Sequence, residues 1–113
     1  MIELSQVLHD GINELTPRIK SLDASNVAVF KDMLRERIKD SPCLLMNLEH
    51  IEFLDSSGLG ALVWMLREME GQAGQIKLCN LQKPVVMLLE VVRMHRVFDI
   101  YNDKFEALKS WEK

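Results

Sequence analysis

From Cys43 onwards the chain alternates short apolar runs with segments of helical period, an order that few folds accept. Cys43-Leu44-Leu45-Met46 is apolar at every position, as a strand buried on both faces must be, and residues 51–54 keep the strand-like character. Residues 58–70 then put Leu59, Leu62, Val63, Leu66 and Met69 on one side of a helix, and Gly71 and Gly74 bracket its exit. Ile76, Leu78 and Leu81 around the polar Lys77 and Asn80 predict another strand. Pro84 suits the first turn of a third helix carrying Val85, Leu88, Leu89 and Val92. Asn102-Asp103 opens a last helix, with Phe105 and Leu108 expected inward. Strand and helix in repeated alternation describe crossover units, which lay parallel strands in a sheet under helices. The class is α/β.

The first third is less regular. Asp23 is placed to cap a helix over residues 24–39, in which Val27, Phe30, Leu34 and Ile38 share one face, and Ser41-Pro42 ends it. Before it, Ile2, Leu4, Val7 and Leu8 suit one strand and residues 12–19 a second, with His9-Asp10-Gly11 as the turn. Pro17 demotes part of that second strand to an edge. Met33, Met65, Met69, Met87 and Met94 fall in helix-like segments, where they are expected to fill gaps in the core. No repeat or linker interrupts residues 1–113, which are expected to form one domain.

Charge and side-chain chemistry exclude several function classes. A net charge of −3 without a long basic run gives no footprint for direct nucleic-acid contact and no patch for an anionic membrane, so a protein partner is expected. The longest wholly apolar run, residues 61–66, is far too short to cross a bilayer, and the N-terminus lacks the pattern of a signal peptide. The expected location is cytoplasmic. Cys43 and Cys79 lie in strand-like segments without a ligand at metal spacing and read as buried free thiols; His9, His50 and His95 are scattered. Neither a metal nor a cofactor is expected.

Chemistry is expected at Asp55-Ser56-Ser57-Gly58-Leu59-Gly60, where strand-like sequence gives way to helix. Unpaired N–H groups and the positive end of a helix dipole meet there, so a serine can cap the helix and can also carry a phosphate. Ser56 reads as such a cap, Asp55 as the residue that shapes the turn, and Gly58 and Gly60 as keeping it sterically open. A hydrolase nucleophile would need a glycine elbow before the serine, but Leu54 and Asp55 stand there, and no base is at recognisable spacing. A receiver-type acidic phosphoacceptor at Asp55 would need clustered carboxylates for Mg²⁺, and Glu3 and Asp10 do not cluster. An enzyme is not expected.

Phe53-Leu54-Asp55-Ser56-Ser57-Gly58-Leu59-Gly60 resembles the signature of STAS domains, specifically of the phosphorylatable anti-sigma factor antagonists. Leu22-Asp23-Ala24-Ser25-Asn26 resembles the segment opening that family's first helix, residues 75–81 its later strand, and residues 84–101 its next helix and short last strand. The chain departs from the family at Lys20, where a glycine is frequent. The resemblance implies a mixed sheet with parallel core strands covered by about four helices. It also implies a protein-binding switch with Ser56 as phosphoacceptor and Ser57 as the fallback. Asp23, Asp55, Ser56, Ser57, Gly58, Leu59 and Gly60 would contact the partner. That partner would be an anti-sigma factor and serine kinase of the histidine-kinase-like ATPase class, bound by the unphosphorylated form, with a serine phosphatase resetting the switch. The alternative is an unphosphorylated STAS scaffold subunit of a lipid-transport or signalling assembly.

Overall fold

A computed structural model describes residues 2–112. The elements run β1 (Leu4–His9), β2 (Ile12–Pro17), β3 (Ser21–Leu22), α1 (Val27–Ile38), β4 (Cys43–Asn47), β5 (Phe53–Leu54), α2 (Ser56–Gly71), β6 (Gln75–Cys79), α3 (Lys83–Val91), β7 (Asp99–Tyr101) and α4 (Lys104–Lys109). Five strands form a mixed sheet in the order β1-β2-β4-β6-β7, antiparallel at β1–β2 and parallel elsewhere. No helix among the described residues is long and apolar enough to cross a membrane.

The hairpin β1–β2 turns through Asp10 (φ 47°) and Gly11 (φ 87°), the left-handed pair that matches the twist of a two-residue loop. β2 is an interior strand, and Pro17 ends it opposite Leu4, beyond the last residue, Leu15, that pairs with β4. The Arg18 amide donates to the Glu3 carbonyl at 2.8 Å, so the neighbouring pair, Leu4 and Pro17, is one that exchanges no ladder bonds. Proline at that position therefore costs the hairpin no hydrogen bond.

One face of the sheet, with Leu15, Leu44, Met46, Ile76 and Leu78, packs on Phe30, Leu34 and Ile38 of α1, Leu62, Met65 and Met69 of α2, and Val85 and Leu89 of α3. Among the described residues the opposite face carries only α4, with Leu45, Cys79 and Ala107 buried and Leu108 and Trp111 packed against them. Cross-strand register puts Glu14, Leu45 and Lys77 in one row on that side. Lys77 is buried with its ammonium donating to Ser110 Oγ at 2.6 Å and lying 4.4 Å from the Trp111 ring. Burial disfavours ionisation of Glu14, but hydrogen bonds with His9 (2.6 Å) and Asn47 (3.1 Å) outweigh it and hold the carboxyl below its ordinary range.

Three expectations for the core need correction. Phe105 is 72% exposed, because α4 is a short six-residue helix that presents Ala107 and Leu108 to the sheet and leaves Phe105 outside. Met87, 56% exposed, lies on the side of α3 opposite Val85 and Leu89, and Met94 follows the end of that helix. Phe53–Leu54 does not extend the main sheet; it pairs in parallel with Ser21–Leu22 as a separate two-stranded sheet.

Candidate partner-docking site

That small sheet brings the two sequence-predicted segments together. Ser21 is opposite Phe53 and Leu22 opposite Leu54, so the residues that follow, Asp23 and Asp55, emerge side by side. Lys20 O anchors the pair by accepting from the Glu52 and Phe53 amides at 2.7 and 3.2 Å.

Asp55 is the N-cap of α2, correcting the assignment of that role to Ser56. Its Oδ1 accepts from the Gly58 amide at 2.9 Å, and its Oδ2 from the Ala24 amide at 3.0 Å. One carboxylate thus ties the start of α2 to the turn before α1. Asp55→Ala removes both bonds and leaves two amide donors without their partner. It is expected to lower stability by about 2 kcal/mol, while Asp55→Asn, which keeps one carbonyl acceptor, loses about half of that, as urea unfolding will show.

Asp23 does not cap α1 directly. The helix starts at Val27 rather than Ala24, with Asn26 at the N-cap position, because residues 23–26 close a turn of their own. The Asp23 carboxylate accepts from the hydroxyls of Ser21 and Ser25 and from the Ser25 amide at 2.9 Å, while the Asn26 side chain bonds the Asp23 amide and the Ser21 carbonyl. The Ser21 hydroxyl foremost, then that of Ser25, holds the Asp23 carboxyl below its ordinary range. A fixed anion therefore stands next to Asp55. Ser21 was not singled out by sequence, and Ser25 and Asn26 stood out only within the segment that resembles the family's first-helix opening, although three small polar residues around one Asp are a visible signal of a side-chain-bonded turn.

Ser56 is the first residue of α2 and is exposed; Ser57, one place on, is half-buried. Gly58 is buried against β3: a Cβ there would stand 2.1 Å from the Leu22 carbonyl oxygen. Leu59 packs against the main core, whereas Gly60 is exposed with open space where a Cβ would be. Gly58 alone of the two glycines serves a steric purpose. Phe53, 56% exposed at the start of β5, adds an aromatic side chain two residues before Asp55 that the sequence reading placed in a strand and not on a surface. The surface so assembled has two carboxylates, an unencumbered hydroxyl at a helix N-terminus and one exposed ring.

The family model of the STAS domain matches residues 10–107. Over 93 residues the chain is 29% identical to the anti-sigma F factor antagonist of Paenibacillus polymyxa, an alignment covering 80% of each protein. The fold is shared with an anti-sigma-factor antagonist (STAS) domain protein from Planctomyces limnophilus, at a TM-score of 0.84 and 24% identity over 97% of this chain and 98% of that one. It is shared also with the Bacillus cell fate determinant SpoIIAA in its phosphorylated form, at a TM-score of 0.68 and 19% identity over 99% of this chain and 100% of that one.

Proposed function

Since the chain belongs to the STAS domain family, we propose that it acts as an anti-sigma factor antagonist, a single-domain cytoplasmic binding protein switched by phosphorylation of Ser56. The observation that carries this reading is the exposed Ser56 hydroxyl at the mouth of α2, flanked by the fixed carboxylates of Asp23 and Asp55. The name of the Paenibacillus polymyxa relative and the phosphorylated state of the SpoIIAA structure support it.

Unphosphorylated protein docks this surface on an anti-sigma factor that is also a serine kinase of the histidine-kinase-like ATPase class. The contact takes in residues 55–60 together with Asp23. Within the complex Ser56 Oγ attacks the γ-phosphorus of the partner's ATP: the new O–P bond forms, the bond to ADP breaks, and the hydroxyl proton passes to a base on the kinase. The product carries about 1.5 to 2 negative charges where the interface was built for a neutral hydroxyl, and the cost of desolvating them dissociates the pair. A serine phosphatase restores the hydroxyl. The chain itself is substrate and ligand, not catalyst. Its buried Cys79 thiol, pushed up to about 12 by burial and then by the Glu14 carboxylate, stays protonated and unsuited to nucleophilic attack.

The test is phosphopeptide mapping after incubation with the partner kinase and labelled ATP. Label is expected on Ser56 and none on Ser56→Ala, with docking of that variant retained. Label persisting in Ser56→Ala and mapped to Ser57 would move the acceptor by one residue. If protein from its own cells carries phosphate on neither serine, the switch fails and the scaffold role takes its place.

A further inference from the structure

The geometry points to a second interaction surface, remote in sequence from the serine turn: the open edge of β1, which fits a second copy of this chain in an antiparallel, two-fold pairing. β1 is an edge strand of the main sheet, six residues long, paired with β2 without a bulge from Leu4 to His9. It holds no proline, lysine, arginine or carboxylate, the devices that ordinarily keep such an edge from pairing. The other edge, β7, has only three residues and begins with an exposed aspartate.

The direction of the unpaired groups follows from the hairpin register. The Arg18 amide bonds the Glu3 carbonyl, so Glu3, Ser5, Val7 and His9 turn their backbone groups towards β2. Leu4, Gln6 and Leu8 therefore turn their N–H and C=O groups outward, into the open edge. The Gln6 side chain does not cover them, because its amide donates to Asn13 at 2.9 Å and accepts from Arg37 at 2.8 Å within its own chain.

A two-fold axis through Gln6 satisfies all three outward residues at once. Leu4 then faces the partner's Leu8, Gln6 faces the partner's Gln6, and Leu8 faces the partner's Leu4, with about six backbone hydrogen bonds formed between the copies. On the alternate positions Ser5 meets the partner's Val7, and Glu3 meets the partner's His9. Among residues 3–9 themselves no like charges are opposed, and Glu3 is set against an imidazole twice. Leu8, 71% exposed, gains in the partner's Leu4 an apolar neighbour that the single chain does not give it. The result is a continuous ten-stranded sheet, and neither serine turn lies on β1.

Sedimentation equilibrium of the full chain over micromolar to millimolar concentrations tests this directly. The expected result is a concentration-dependent rise to twice the mass of one chain. Leu8→Pro removes an outward amide at no cost to the β1–β2 ladder, and Leu8→Lys sets a charge against the partner's Leu4. Each is expected to raise the dimer dissociation constant at least tenfold while far-ultraviolet circular dichroism is unchanged. Should the proline variant fail to fold, the lysine variant carries the test. Amide exchange in the dimer is expected to slow at Leu4, Gln6 and Leu8. A single-chain mass at every concentration, or a dimer indifferent to Leu8→Lys with those three amides unprotected, would overturn the proposal.

Discussion

Gly58→Ala is expected to lower the unfolding free energy by about 3 kcal/mol, at the upper end of the cost of forcing a methyl into a packed site, while Gly60→Ala, two residues on, is neutral or stabilising by up to about 1 kcal/mol. Both substitutions trade glycine for a better helix former in the first turns of α2, so propensity alone predicts the same sign for each. Their surroundings differ. At position 58 the new Cβ would stand 2.1 Å from the Leu22 carbonyl oxygen and 2.9 Å from its carbon, and this neighbour is backbone, which has no rotamer to escape into. Relief requires α2 to lift from β3, and that motion breaks the bond that ties the Ala24 amide to Asp55 across the small sheet. At position 60 nothing lies within 4 Å. Urea unfolding of the two variants beside the unaltered protein measures the contrast, and equal stabilities would mean that α2 does not sit on Leu22 as described. The same displacement separates Asp23 from Ser56, so Gly58→Ala is expected to weaken partner docking even under conditions where most molecules are folded.

That glycine shows where sequence reasoning succeeds and where it stops. The helices α1, α2 and α3 and the strands β4 and β6 were legible because their apolar residues recur at helical spacing or in unbroken runs, a signal generated locally. Leu44, Leu45 and Met46 are fully buried, as an unbroken apolar strand under helices on both sides requires. Phe105 misled because a six-residue helix has too few turns for periodicity to identify its inner face. At the site, the Asp-Ser-Ser-Gly turn marked the start of α2, but not which residue capped it. Asp55 wins that place because its two oxygens reach two amides, Gly58 in its own helix and Ala24 across the small sheet, and the second of these is a tertiary partner no local pattern encodes. The parallel pairing of Ser21–Leu22 with Phe53–Leu54 was hidden for the same reason: two-residue strands carry no periodicity. The juxtaposition of Asp23 with the serine turn was foreseeable only from the rule that strands of a parallel sheet lead into their helices at one edge.

Ser56→Asp is expected to weaken docking on the partner kinase at least a hundredfold, about 2.7 kcal/mol or more, with little change in the fold. The stability half of this expectation rests on position. Ser56 is the first residue of α2, where negative charge gains about 0.3 to 1 kcal/mol from the helix dipole. The neighbouring carboxylates of Asp55 and Asp23 repel it across solvent by a comparable amount, so the net change is expected within about 0.5 kcal/mol. The binding half rests on charge burial: an aspartate at an interface complementary to a hydroxyl loses hydration without gaining a cationic partner. Ser56→Asn separates charge from bulk, since it has nearly the same size and none of the charge, and is expected to lose less than tenfold. Calorimetric titrations at two salt concentrations distinguish the two electrostatic causes. Repulsion between exposed charges fades as salt rises, whereas a desolvation cost persists. Persistence is the expected outcome, because Ser56 is exposed in the free chain and must lose its water on docking. Equal losses for Ser56→Asp and Ser56→Asn would assign the effect to shape, and global unfolding of Ser56→Asp would mean that phosphate acts through the fold rather than at the interface.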